Sequence, residues 1–403
     1  MRWHSRRPRA LITQLGEARV ARAYWHCPAC GRGAAPADAA WDLPPGQASW
    51  GVRAWASWLG ALIPSFLQAT AVLDHLTPVR VSARALEGWT EEVGAAYTLP
   101  EPAPVAPGPP ADLLLLEVDG GQAHFADGWH EVKVAAAWAR MAGSDQPVCY
   151  ATVQGPWARH EDVLTALVAR AGGGAAPRML CLADGDRAHW RVLERLCPDA
   201  DYLLDWYHLQ EHLGDVVKAC GLDAAWLAAQ QTVLREHGPQ ATLRALVTLA
   251  RQPGWTADQA EGLRQCLVYL WHNRHRMDYA AALRRGDPIG SGRIESAIKR
   301  VLQARAKGPG MRWAHDHLQA VLNARCAVLN GDWDVACAQT RAAARTLPPG
   351  ARPLAPPYRL RVPTAGAPTP DRGARRTRRT FPNNAEVSTP QLARVVRQAF
   401  GLR

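Results

Sequence analysis

Apolar positions along the chain change period several times. Arg19 to Tyr24 alternates as a strand does. From 47 to 96 the spacing becomes helical, with Trp55, Trp58, Leu59 and Leu62 before Pro64 and with Phe66, Leu67, Ala71 and Leu73 after it. Ser82 stands where it can cap a further helix from Ala83. Six prolines between Leu99 and Pro110 then mark a linker. Beyond it the pattern predicts strands over Leu113–Asp119, Gln122–Phe125, Val132–Trp138 and Pro147–Val153. Helix Glu161–Arg170, strand Arg178–Ala183, helix Arg187–Leu196 and strand Tyr202–Asp205 follow. Residues 206–285 read as helical throughout, with Trp226, Leu227, Leu243, Leu246, Leu249, Leu263, Leu267 and Leu270 as core positions. A helix restarts at Ile294 with Ile298, Val301 and Leu302 on its apolar face.

Antiparallel strands followed by strand–helix alternation suit a ribonuclease H-like α/β core better than a doubly wound sheet. The expected organisation is therefore a partial zinc-ribbon or β segment over 1–46, a helical domain resembling a helix-turn-helix over 47–98, and the linker at 99–111. The α/β core follows over 112–205, an all-helical insertion over 206–286, the returning core over 287–345 and a basic tail over 346–403. Helix, turn and capped helix equally describe any small helical bundle, so the DNA-binding motif is the less specific part.

Charge sharpens the picture. The net charge is +11, but residues 1–22 carry +5 and the stretch from Leu347 carries +9, leaving the middle slightly acidic. Basic arms on a near-neutral body fit a polyanionic partner, whose phosphates they neutralise; arginine-rich tails that only confer solubility are the alternative. Nine scattered cysteines argue against a disulfide framework, and no run of about 20 apolar residues could cross a membrane. A soluble, intracellular protein without a membrane partner is expected.

Three acids stand out. Asp119 follows four leucines in a buried-strand pattern, although Asp-Gly-Gly is also a hairpin signal. Asp184-Gly185 repeats the arrangement after Leu180–Ala183. Glu295 opens the helix behind Gly290-Ser291-Gly292; a first-turn acid also favours the helix dipole, and Lys299 lies four residues on. Carboxylates leaving buried strands suit Mg²⁺ or Mn²⁺, and two such ions about 4 Å apart drive in-line phosphoryl transfer. Lys299, Arg300, Arg305, Lys307 and Arg312 form a basic stripe suited to a phosphate backbone. Cys27-Pro28-Ala29-Cys30 is half of a zinc ribbon, with His4 and His26 as weak further ligands. His208-Leu209-Gln210-Glu211-His212 matches the inverted zinc-peptidase pattern, which makes a metallopeptidase the remote alternative.

At these residues the sequence resembles the DDE transposases of bacterial insertion sequences, in the Kra class, related to Mutator-type transposases. The matching stretches are Thr13–Glu17, Tyr24–Gly33, Val118-Asp119-Gly120, Gly128–Lys133, Ala183-Asp184-Gly185, Leu204–His208, Gly290–Ser296 and Lys307–Trp313, in the family's order. The resemblance implies Asp119, Asp184 and Glu295 as the triad holding two Mg²⁺ ions, with Asp205, His208 and Ser291 supporting them. It also implies DNA cleavage and strand transfer at element ends, with terminal repeats and target DNA as partners. A homo-oligomer on DNA and a nucleoid-associated cytoplasmic location go with it. Family members carry a further N-terminal segment with an earlier cysteine pair, so a truncated copy or a mis-called start is expected here. The rival is a non-catalytic DNA-binding protein, a decayed or domesticated transposase.

Overall fold

The computed structural model describes residues 1–100, 111–141, 143–172, 176 and 178–346. Most of the linker and the basic tail lie outside the described residues.

The chain opens on a hairpin, β1 (Arg2–Thr13) and β2 (Gly16–His26), paired antiparallel from Arg2↔His26 to Thr13↔Gly16, with β3 (Gly33–Ala34) beside β2. The basic N-terminus, expected as an arm, is thus a strand. Among its cations, Arg9 and Arg22 pair with Asp38, and the Arg7 guanidinium lies 3.7 Å from the Tyr24 ring centre.

Four helices follow: α1 (Pro36–Ala40), α2 (Trp50–Leu62), α3 (Phe66–Leu76) and α4 (Ala83–Ala96). Ser49, Ser65 and Ser82 cap the last three, accepting hydrogen bonds from Val52 N, Gln68 N and Ala85 N at 3.2–3.3 Å. The buried face uses Val52, Ala56, Leu73, Val79 and Leu86. Trp55 and Trp58 keep the helical spacing but stand 40% and 41% exposed, while the face of α2 that carries Gly60 approaches α4. A Cβ on Gly60 would lie 2.2 Å from Thr90 Oγ1.

β4 (Leu113–Phe125), β5 (Gly128–Met141) and β6 (Ser144–Gln154) lead to α5 (Glu161–Arg170). Then come β7 (Met179–Ala183), α6 (Arg187–Leu196) and β8 (Asp201–Leu204). The five strands form one mixed sheet in the order β6-β5-β4-β7-β8, with β5 and β6 antiparallel and β7 and β8 parallel. One expectation fails here. β4 does not end at Asp119; it runs through both glycines, and the turn falls at Ala126–Asp127. Gly120 and Gly121 provide close approach instead of a turn. Added Cβ atoms would lie 2.0 Å from Glu131 Oε1 and 2.5 Å from the Leu302 side chain.

The helical stretch comprises α7 (Trp206–Cys220), α8 (Ala224–His237), α9 (Pro239–Ala250), α10 (Ala257–Asn273) and α11 (Tyr279–Arg284). Leu243, Leu246, Leu249, Leu263, Leu267 and Leu270 are buried as expected, whereas Trp226 and Leu227 are only half-buried. α12 (Gly292–Ala297) continues into a π-helical segment, Ile298–Gln303, and a last turn, α13 (Ala304–Ala306). α14 (His315–Leu329) and α15 (Trp333–Thr346) complete the described chain.

Two compact units result. The first contains 1–114, 119–177 and 294–346; the second contains 115–118 and 178–293. In the first, α4 lies against α14 through Gly94, where a Cβ would fall 1.6 Å from the Ala320 carbonyl oxygen and 2.9 Å from Ala324 N. Backbone on a helix cannot yield as a side-chain end can. Gly94→Ala is therefore expected to destabilise this unit by about 3 kcal/mol, read as a lowered urea midpoint.

Candidate functional site

The second unit gathers a polar cluster at the carboxyl ends of β7 and β8. β7 is apolar and buried, and the chain leaves it at Asp184, followed by Gly185 in a left-handed conformation (φ 94°). Only glycine adopts that geometry readily, and a Cβ there would also strike the Tyr269 ring at 2.6 Å. Asp184 accepts from Asp186 N at 3.0 Å and lies 3.0 Å from His189 Nδ1, while Tyr269 donates to the Asp184 carbonyl at 2.7 Å. Burial alone would favour the neutral acid. The His189 hydrogen bond and charge, with Asp186 N and the His208 charge, outweigh it and hold the carboxyl well below the usual range.

Asp205 leaves β8 in the same way and is fully buried. Its Oδ1 accepts from Tyr207 N at 3.2 Å and Ser291 N at 2.9 Å. Its Oδ2 accepts from Ser291 Oγ at 2.8 Å and lies 2.6 Å from His208 Nδ1. One carboxylate thereby caps α7, fixes the His208 ring and anchors the glycine-bounded loop before α12. Burial raises its pKa, but the bonds from His208 and Ser291 more than offset this, and the net shift is downward. Ser291, 86 residues away in sequence, is thus brought to Asp205 and His208.

His212 lies one turn beyond His208, stacked on the Tyr269 ring at 3.8 Å. Burial, then the His208 charge, depress its pKa to about 4. An unfolded histidine titrates near 6.5. Between the two values the unfolded chain binds the proton that the folded chain refuses. Stability is therefore complete above about pH 6.5 and lost as pH falls toward 4, by up to about 3 kcal/mol. The depressed carboxyls lose stability in the same direction but below about pH 4, in a separate window. His212→Gln is expected to flatten the upper window in urea titrations at about pH 4.5 and about pH 7. His208 is committed to Asp205 and His212 to an aromatic face, which does not favour the peptidase reading.

In the first unit, Asp119 sits on β4 and Glu295 in the first turn of α12. Strand residues of one parity share a face, so 117, 119 and 121 align. Position 121 meets the π-helical segment, where a Cβ on Gly121 would lie 3.0 Å from Ile298 Cγ2. In the second unit, fully buried Glu117 accepts from Arg293 Nη1 at 3.4 Å. The β4 positions two residues before and after Asp119 are thus tied to positions just before and after Glu295, which is exposed. Beside Asp119, Glu131 covers Gly120 and pairs with Lys133 at 3.0 Å.

Of the basic stripe, Lys299, Arg300, Lys307 and Arg312 are exposed, and Lys307 lies 5.9 Å from the ring centre of exposed Trp129. Arg305 is a correction. It is fully buried, donating to Gly60 O and Pro64 O at 2.9 Å each, with Phe66 and Trp313 against its guanidinium. Cys27 and Cys30 share a turn after β2, and hydrogen bonding to Cys30 lowers the Cys27 pKa. Among the described residues no third metal-ligating atom converges on them.

His189, Tyr269, Glu117 with Arg293, and Glu131 with Lys133 carry no site role in the sequence reading. His189 had a signal, lying five residues after Asp184 on the first turns of α6. Tyr269 had none, being 85 residues away. Neither family models nor curated proteins match this chain.

Proposed function

We propose that the chain is a DDE-type DNA transposase with a ribonuclease H-like core, cutting and joining DNA by two-metal phosphoryl transfer. The observation that carries this reading is where the acids sit. Asp119 lies on β4, the middle strand of the five, and Asp184 directly follows β7, the next in order. Glu295 stands on the helix whose neighbouring positions are tied to β4 on either side of Asp119. The β6-β5-β4-β7-β8 order, antiparallel on one side and parallel on the other, supports the core assignment.

The donor set fits Mg²⁺. It is all oxygen, and Asp184 is kept ionised and oriented by His189, as a ligating carboxylate requires. Asp119, Asp184 and Glu295 would hold the ions, which when bound supply Lewis-acid stabilisation of the attacking and leaving oxygens. Asp205 fixes His208 and, through Ser291, the loop that introduces Glu295. Lys299, Arg300, Lys307 and Arg312 bear on the phosphate backbone; Arg305 does not. The full chain, incubated with Mg²⁺ and supercoiled plasmid carrying the DNA that flanks its gene, is expected to nick it. Retained DNA binding without metal-dependent nicking would assign the non-catalytic DNA-binding role instead.

A further inference from the structure

A second group of ligands lies where the β4–β5 hairpin meets the start of α14. Asp127 Oδ1 is 3.0 Å from His130 Nε2 and 3.4 Å from His315 Nε2, and all three ligand atoms lie within 4.8 Å of one another. A tetrahedral zinc site with bonds of about 2.0–2.1 Å separates its ligand atoms by roughly 3.3 Å. Two edges of this triangle already match.

The hydrogen bonding of His315 points to a cation. Gln154 donates from Nε2 to the His315 carbonyl at 2.7 Å, which orients its amide. Its Oε1 then faces His315 Nδ1 at 2.8 Å, so the ring donates there. A neutral ring donating from Nδ1 presents a bare lone pair at Nε2, and the nearest group to that lone pair is a carboxylate. Two acceptors face each other unless a proton or a metal lies between them. Fixing one ring nitrogen by a hydrogen bond so that the other can ligate is how proteins prepare a metal-binding histidine. Phe125, stacked on His315 at 4.1 Å and 11°, holds the ring in plane.

The geometry points to a divalent transition-metal site formed by Asp127, His130 and His315, of the zinc class, with one position open to water. Two imidazoles and a carboxylate suit Zn²⁺ far better than Mg²⁺. The site would clamp a defined junction. Ala126 N donates to Trp313 O and Trp313 N to His124 O, both at 3.0 Å, so Trp313, the end of the segment 307–313, is already bridged to the edge of this hairpin. That segment carries Lys307 and Arg312.

The test uses the full chain with Cys27→Ser and Cys30→Ser, stripped with chelator and titrated with Co²⁺. One equivalent is expected to bind with visible bands of nitrogen and oxygen ligation and no sulfur charge-transfer band, distinct from all-oxygen binding at the proposed catalytic acids. His130→Ala and Asp127→Asn, both exposed and checked for retained fold by circular dichroism, are expected to weaken binding at least about tenfold. Gln154→Ala is expected to weaken it about tenfold through His315 alone. Asp119→Asn leaves the signal intact, which separates this site from the proposed catalytic ions. No Co²⁺ binding in the cysteine-free chain, or binding indifferent to His130→Ala, overturns the assignment and leaves an ordinary imidazolium–carboxylate pair.

Discussion

Asp119→Asn and Asp184→Asn are each expected to lower Mg²⁺-dependent DNA cleavage by roughly 10³-fold or more while leaving DNA affinity within about twofold. A bound metal contributes several kcal/mol of charge stabilisation in phosphoryl transfer, and each 1.36 kcal/mol is a factor of ten. Replacing a carboxylate by an amide keeps the shape and removes the charge that would hold the proposed ion. On the proposed reading, binding would rest on cations elsewhere: Lys299, Arg300, Lys307 and Arg312 are exposed and would neutralise phosphates independently of the acids. The two aspartates also differ in a measurable way. His189 holds Asp184, so His189→Ala removes the leading influence keeping that acid ionised and should shift the acidic limb of the pH–rate profile upward. Cleavage by Asp119→Asn at the original rate would refute the assignment, whatever the DNA affinity.

Arg305→Ala is expected to destabilise the first unit by about 3–5 kcal/mol, the cost typical of breaking a buried charged contact. Burial, then the nearby Arg325 charge, push the Arg305 pKa down to about 10, so the side chain is still a cation at neutral pH. It serves no acid. Its guanidinium satisfies the Gly60 and Pro64 carbonyls at the end of α2, where no further turn of helix exists to do so. Arg325 does the same for Ala61 and Leu62, with donors at 3.0 and 3.2 Å. Truncation leaves both a cavity and two unpaired carbonyls. Arg305→Met retains most of the volume and should cost about 1–3 kcal/mol. Arg312→Ala should behave oppositely, weakening DNA binding and reducing its salt dependence by about one phosphate contact without moving the urea midpoint. A common phenotype for the two arginines would contradict their different burial.

What could be read along the chain was whatever local chemistry decides. Glu161–Arg170 and Arg187–Leu196 form the helices their periodicity predicts, with the same bounds, and Ser82 caps the helix it precedes. Asp184 leaves β7 where the apolar run stops. These features depend on neighbours a few residues away, and the sequence states those neighbours. The fate of Asp-Gly-Gly at 119–121, the burial of Arg305 and the meeting of Asp205 with Ser291 across 86 residues depend on what arrives from elsewhere in the chain. A glycine pair allows a turn or a close approach with equal ease, and only the presence of Glu131 and Leu302 over those glycines decides which. An arginine at a helical position reads as a surface cation until unpaired carbonyls from a distant helix end are brought to it. Periodicity and capping determined the elements of this protein. Tertiary structure alone decided which polar side chains meet, because a hydrogen-bonding partner leaves no trace in the local pattern.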